Sequence, residues 1–217
     1  MTGDVLLPRT AATTRRQSAG GADTREQILA VSAALFAQRG IAGTTMRAIA
    51  AGCSIKAASL YHHFASKDEL VAEIMMRSSA HVVALYDEIR AAELPPAERV
   101  EALMRATLRN FREHRQEARM FYENPAYVAT APLLQKVRDE ALANDALWVQ
   151  AIDDAIADGT LRSDIDRVRL KVLLRNMMLS TASGIDPTRI GDVTDDVVTI
   201  LLRGAFTPPN AIPRSAG

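Results

Sequence analysis

The chain has 217 residues, of which 48% are apolar, 24% charged and 5% aromatic, enough for one large domain or two small ones with a sizeable core. Its single cysteine, Cys53, excludes an internal disulfide framework and a thiolate zinc cluster and fits a reducing compartment. The 26 basic and 26 acidic residues cancel, which argues against a general polyanion binder.

The distribution of charge is uneven. Residues 1–67 hold eight Lys or Arg against three acids, and the remainder holds 18 against 23. A cationic front on an anionic body suggests two tasks in one chain, although segregated surface charge alone would read the same way. No stretch approaches the roughly 18 apolar residues of a membrane span, and residues 1–22 carry no secretory signal. A cytoplasmic protein with no membrane partner is expected.

In chain order, residues 1–22 read as a disordered arm of Thr, Ser, Gly and Ala with Arg9, Arg15 and Arg16. The spacing of Ile28, Val31 and Leu35 predicts a first helix over 24–39, closed by Gly40. A short helix over 45–51, with Thr44 as its cap, ends at Gly52, and a third over 55–63 follows within a few residues. Ser66 with Glu69 forms a capping box, opening a helix to Arg90. Pro96 starts a helix to His114, another runs from Gln116 to Tyr122, and a long one from Pro132 to Asp158. Helices over 166–183 and 192–204 and a disordered tail, 207–217, complete an all-α chain of nine helices. Residues 23–66 are expected to form a helix-turn-helix domain, and 67–206 a second helical domain.

The segment Thr44–Phe64, TTMRAIAAGCSIKAASLYHHF, has the short helix, tight turn and short helix of a DNA-binding helix-turn-helix. Ala57, Ala58 and Ser59 are small enough to let the second helix sink into a major groove about 12 Å wide. Leu60 and Phe64 anchor it inward.

From Thr24 to Val71 the sequence TREQILAVSAALFAQRGIAGTTMRAIAAGCSIKAASLYHHFASKDELV resembles the tetracycline-repressor (TetR) family of bacterial regulators. The resemblance rests on the RG after the first helix, the TT before the second, the turn, LYHHF and SKDEL. It implies an N-terminal three-helix DNA-binding domain on a C-terminal ligand-binding and dimerisation bundle. It places Thr45, Arg47, Lys56, Ala57, Ser59, Tyr61, His62 and Lys67 at double-stranded DNA. Chemistry agrees: the Thr45 and Tyr61 hydroxyls and the Lys67 ammonium suit phosphates, while Arg47 and Lys56 can reach guanine acceptors. His62 reads equally as a solvated imidazole, and Arg15 and Arg16 as a solvated tail or a minor-groove arm. Cys53 reads as a small buried turn residue or, less simply, a redox switch.

The implied partner molecule is a small effector. Bulky adaptable residues on the later helices are candidates for its pocket: His81, Met104, Phe111, Phe121, Tyr122, Trp148, Arg175 and Met178, with Met75, Leu108, Met120, Tyr127 and Met177 beside them. Each reads equally as core, and His81 as a hydrogen-bonded core histidine. The C-terminal half also resembles actinobacterial TetR regulators of steroid and fatty-acid breakdown, through Arg162 in LRSDID and Arg175 in LLRNMM. That implies an acyl-CoA or other lipid-derived effector. The chain departs from this pattern at Leu179 and Ser183. Surplus apolar positions, Leu170, Leu173, Leu174, Met177, Met178, Val197, Val198, Leu201 and Leu202, suggest a homodimer face.

No phosphate loop, nucleophile elbow, His-x-x-x-His or paired-cysteine motif occurs, so no enzyme, metal or cofactor is expected. The expected function is a repressor that binds a palindromic operator as a dimer and is released by ligand. The competing reading is a helical architectural DNA-binding factor without ligand control.

Overall fold

The computed structural model describes residues 11–164, 166–184 and 194–200. Residues 1–10 of the expected arm, the ends of the last helix (192–204) and the tail, 207–217, lie outside them. The described residues are helical, with no β-strand among them: α1 (Ala11–Gly43), α2 (Met46–Gly52), α3 (Ala57–His63), α4 (Lys67–Ala91), α5 (Pro96–Glu113), α6 (Arg115–Glu123), α7 (Pro125–Thr130), α8 (Gln135–Ala157) and α9 (Arg167–Gly184). Residues 194–200 are also helical. The chain divides into two compact units, Met1–Ile74 and Met75–Gly217.

Three differences from the sequence pattern have clear causes. Helix α1 begins at Ala11 rather than Thr24, so residues 11–22 are helix and not arm. Ala11, Ala12, Arg15, Arg16 and Ala19 are good helix formers that extend an existing helix at little cost, despite the Gly20–Gly21 pair. Gly40, at φ +74°, breaks α1 near its end as expected. Helix α2 is capped by Thr45, whose Oγ1 accepts from Ala48 N at 3.1 Å. Thr44 is instead fully buried and donates to Gly40 O at 2.9 Å. The third difference is α7, which Asn124–Pro125 begins rather than merely punctuates.

In the first unit, Ile28, Phe36, Ile49, Leu60, Phe64 and Leu70 are buried. The turn between α2 and α3 lies hard against α1. A Cβ on Gly52 would stand 2.9 Å from Val31 Cγ1 and 3.6 Å from Leu35 Cδ1, so the helical stripe read from the sequence is the surface that receives the turn. Ser54 takes φ 57° there, a conformation costing an L-residue roughly 1–2 kcal/mol. Cys53 is buried in the same turn, and burial raises its thiol pKa. Such a thiol is inert packing. Ser66 Oγ accepts from Glu69 N at 3.1 Å and Glu69 Oε2 from Ala65 N at 2.8 Å, so α4 opens with the expected reciprocal caps. Arg25 lies over the Phe64 ring, 4.2 Å from its centroid, and pairs with Glu73.

In the second unit α5 packs on α8 and α9, and α8 on α9. Val100, Leu103, Met104, Leu108, Trp148, Ile152, Leu170, Leu174 and Met178 form the main core, joined by Val198. Leu170, Leu174 and Met178 therefore serve the core of a single chain. Leu173 and Met177, half a turn away, remain exposed, as do Val168 and Ile200. Leu201 and Leu202 lie outside the described residues. No helix among the described residues is long and apolar enough to cross a membrane.

Gly52→Ala tests the close approach. Overpacking costs about 1–3 kcal/mol, against which alanine's better helix propensity offsets about 1 kcal/mol. Urea denaturation should show a net loss in the native chain and a net gain when Val31→Ala has made room.

Candidate nucleic-acid interface and effector cavity

The expected DNA contacts fall on α2 and α3 and the turns flanking them. Thr45, Arg47, Lys56, Ala57, Tyr61 and His62 are exposed, and Ser59 is half-buried. Tyr61 is 53% exposed although it follows Leu60, which is fully buried. The two neighbours thus divide the short helix into an anchoring side and a free side. Thr45 Oγ1 is used as an acceptor in the α2 cap, which leaves its own proton to donate outward. Lys67 differs from the rest. Its ammonium donates to Ile41 O at 2.8 Å and Thr44 O at 3.1 Å, tying the start of α4 to carbonyls around the α1–α2 junction. Two of its three protons are committed within the protein.

The second unit encloses a cavity of about 610 Å³, within the range that holds drug-sized ligands. Helices α4, α5, α6, α8 and α9 all contribute to its wall, through Ser78 and Val82, Asn110, Phe121 and Tyr122, Trp148, and Arg175 and Met178. Five of the eight residues expected from sequence line it: Phe121, Tyr122, Trp148, Arg175 and Met178. Met75 does too, whereas Leu108, Met120, Tyr127 and Met177 do not. Met104 is fully buried core. Phe111 stands behind the wall, its ring 5.5 Å from that of Tyr122. His81 is a half-exposed neighbour of His114 and Glu113, not a hydrogen-bonded core residue. Arg162 is held by Asp164 at 2.5 and 2.6 Å and is likewise not part of the wall.

Sequence reading missed the polar half of the wall. Trp148 Nε1 donates to Tyr86 Oη at 2.9 Å, and Tyr86 Oη lies 2.8 Å from Thr107 Oγ1. Thr107 gives its own proton to Leu103 O at 2.8 Å, so Tyr86 must be the donor to Thr107. This one-way relay joins α8, α4 and α5. Burial raises the Tyr86 phenol pKa. Tyr122 keeps 37% of its surface accessible, as befits a wall residue. Its phenol is nonetheless pushed up to about 12, chiefly by burial and then by Tyr86, with Arg175 pulling the other way. Both phenols are therefore neutral donors near pH 7.

Around this relay the charges are mostly paired. Lys171 meets Asp145 at 2.7 Å, and Arg138 donates to Val128 O and Ala131 O at 2.9 and 2.8 Å. Two buried atoms have no partner: Asn110 Oδ1, an acceptor, and Arg175 Nε, a donor. Asn110 had a sequence signal, being the polar residue among Leu103, Met104, Thr107, Leu108 and Phe111 on the buried stripe of α5.

Residues 28–74 match the model of bacterial regulatory proteins of the tetR family. The HTH-type transcriptional repressor KstR2 of Mycobacterium tuberculosis is 32% identical over 142 residues, covering 65% of this chain and 71% of that one. The KstR2 repressor of Rhodococcus jostii is 28% identical over 198 residues, 89% of this chain and 96% of that one. The solved ketosteroid transcriptional regulator KstR2 of M. tuberculosis superposes with a TM-score of 0.80 at 28% identity, covering 85% and 95% of the two chains. The chain belongs to the TetR family. It is a helix-turn-helix, DNA-binding transcriptional repressor and not an enzyme.

Thr107→Val removes the acceptor of the Tyr86 proton while keeping the shape. Leaving that buried hydroxyl unpaired should cost about 1–3 kcal/mol. Trp148 is the chain's single tryptophan, so its fluorescence in a urea titration reports both the unfolding and the loss of the relay.

Proposed function

We propose that this TetR-type repressor binds a palindromic operator as a homodimer in the cytoplasm and is released when a lipid-derived molecule fills the α4–α9 cavity. The observation that carries the ligand reading is that two residues lining the cavity, Asn110 and Arg175, each hold a buried polar atom, Oδ1 and Nε, without a partner. A buried polar group left unmatched costs free energy, and a ligand with an anionic or carbonyl oxygen and a hydroxyl would match both. Tyr122, with no hydrogen-bond partner among the described residues, supplies a further donor. An acyl-CoA thioester or a related acid has this chemistry, and a relative of this chain is the ketosteroid transcriptional regulator KstR2 of M. tuberculosis.

On the DNA side, Thr45, Tyr61 and the third proton of Lys67 take phosphates. Arg47, Lys56 and His62 read base edges, and Ala57 and Ser59 admit α3 to the groove. Two copies must present α3 about 34–36 Å apart to share one face of the duplex, so the exposed apolar residues Leu173, Met177, Val168 and Ile200 are assigned to the dimer contact. Helix α4 runs from Lys67, next to the end of α3, through the wall residues Ser78, Ser79, Val82 and Tyr86. A ligand that shifts this wall therefore acts on the helix that leads from the DNA-binding segment. The cavity favours this reading over an architectural factor, which has no use for one.

Footprinting the purified chain on its own upstream DNA should reveal a two-fold-symmetric site. On it Tyr61→Phe weakens binding to all sequence variants alike, while Lys56→Ala also relaxes the preference among them by the roughly 1–3 kcal/mol of a base contact. Unchanged preference in Lys56→Ala removes that residue from readout. Leu173→Glu with Met177→Glu should sediment as a monomer and lose the operator. Arg175→Gln should keep operator affinity and lose release by acyl-CoA thioesters or fatty acids. Weak binding to all DNA with no ligand response would instead favour the architectural role.

A further inference from the structure

Away from the cavity wall, α4 and the α5–α6 junction bring together three side chains that neither DNA binding nor effector binding uses. His81 lies on α4, Glu113 is the last residue of α5, and His114 separates α5 from α6. The imidazoles of His81 and His114 are 4.4 Å apart between centroids and tilted by 59°. Glu113 Oε2 lies 4.0 Å from His81 Nε2. One ligand atom from each of the three residues falls within 4.8 Å of the other two. His81 Nε2 is itself buried and has no hydrogen-bond partner.

We propose that His81, Glu113 and His114 form a binding site for a divalent transition metal of the zinc class. Two imidazole nitrogens and one carboxylate oxygen are the donor set that zinc, nickel and cobalt prefer over calcium or magnesium. In a tetrahedral site with metal–ligand distances near 2.1 Å, ligand atoms stand about 3.4 Å apart. The three groups need to close by only a fraction of an ångström to somewhat more than one, which side-chain rotation alone supplies. The fourth position falls to water or an outside ligand, since two half-buried histidines and an exposed carboxylate leave one side open.

The surroundings organise this set. Arg112 donates to Glu113 Oε1 at 3.0 Å and Arg109 Nε lies 3.6 Å from Oε2, holding the carboxylate beside the histidines. The same arginines compete with a metal for that carboxylate, so the site is weaker than a closed structural zinc centre. His114 has φ −128° and ψ 44°, a non-helical backbone that takes its ring out of the α5 register and toward α4. An ion here ties α4, which bears Ser78, Ser79 and Val82 of the cavity wall, to the start of the segment bearing Phe121 and Tyr122. Metal occupancy thus stiffens the enclosure from outside. The site does not depend on the effector assignment, and its test does not use DNA or effector.

The test titrates Zn2+ into the tag-free, chelator-treated full chain by calorimetry. Co2+ then serves as a spectroscopic probe, because a low-coordinate site gives intense visible bands that hydrated Co2+ lacks. The expected result is one ion per chain and a raised melting temperature. Affinity should fall at least tenfold in His81→Ala, in His114→Ala and in Glu113→Gln, the last being an exposed change that leaves packing intact. A chain carrying His62→Ala and His63→Ala, the other two histidines, should bind as before. Absence of saturable binding, or binding that survives in His81→Ala and His114→Ala but disappears in the His62/His63 double variant, overturns the proposal.

Discussion

A cavity among packed helices persists only if the polar groups on its wall are either satisfied or given something to bind. The chain of hydrogen bonds from Trp148 to Tyr86 to Thr107 to the Leu103 carbonyl meets the first condition. Each donor has one acceptor, each hydroxyl accepts one hydrogen bond and donates one, and the direction of every proton follows from the last link. Because the three side chains come from α8, α4 and α5, the relay ties those helices together beside the apolar core. A half-satisfied version would be worse than an apolar core.

The second condition is met by what the relay leaves over. Asn110 and Arg175 enter the wall from α5 and α9 with an acceptor and a donor unspent, and Tyr122 is a neutral phenol near pH 7, made harder still to ionise by burial. Lys171 and Arg138, by contrast, are engaged by Asp145 and by main-chain carbonyls. In the first unit the corresponding economy is steric. Gly52 lets the turn close on Val31 and Leu35, and the Lys67 ammonium gathers the carbonyls on the far side of α2. A seven-residue helix such as α3 has too few internal hydrogen bonds to persist alone; its orientation is set by these neighbours and by Leu60 and Phe64.

The site at His81, Glu113 and His114 follows from the same packing. His81 is separated from the adjacent pair Glu113 and His114 by more than thirty positions in the chain, and only the tertiary structure brings the imidazoles to 4.4 Å between centroids. Nothing in their local sequence has metal-ligand spacing.

The amino-acid sequence by itself was enough for the all-helical class, the helix-turn-helix, the caps at Ser66 and Glu69, the turn at Gly40 and the burial of Leu60 beside exposed Tyr61. These follow from local periodicity and backbone stereochemistry, which act over a few residues. Its list of bulky and charged candidates included Trp148, Phe121, Tyr122, Arg175 and Met178, which line the cavity. It could not separate these from Met104 and Phe111, since wall and core share the same composition and differ only in which way a helix is rotated. It passed over Asn110 and Thr107, and it gave no sign that two of the Lys67 protons serve the carbonyls of Ile41 and Thr44. Only tertiary packing decided those matters: hydrogen-bond partners far apart in the chain, and the rotation of each helix about its axis, are properties of how helices meet and not of any one of them.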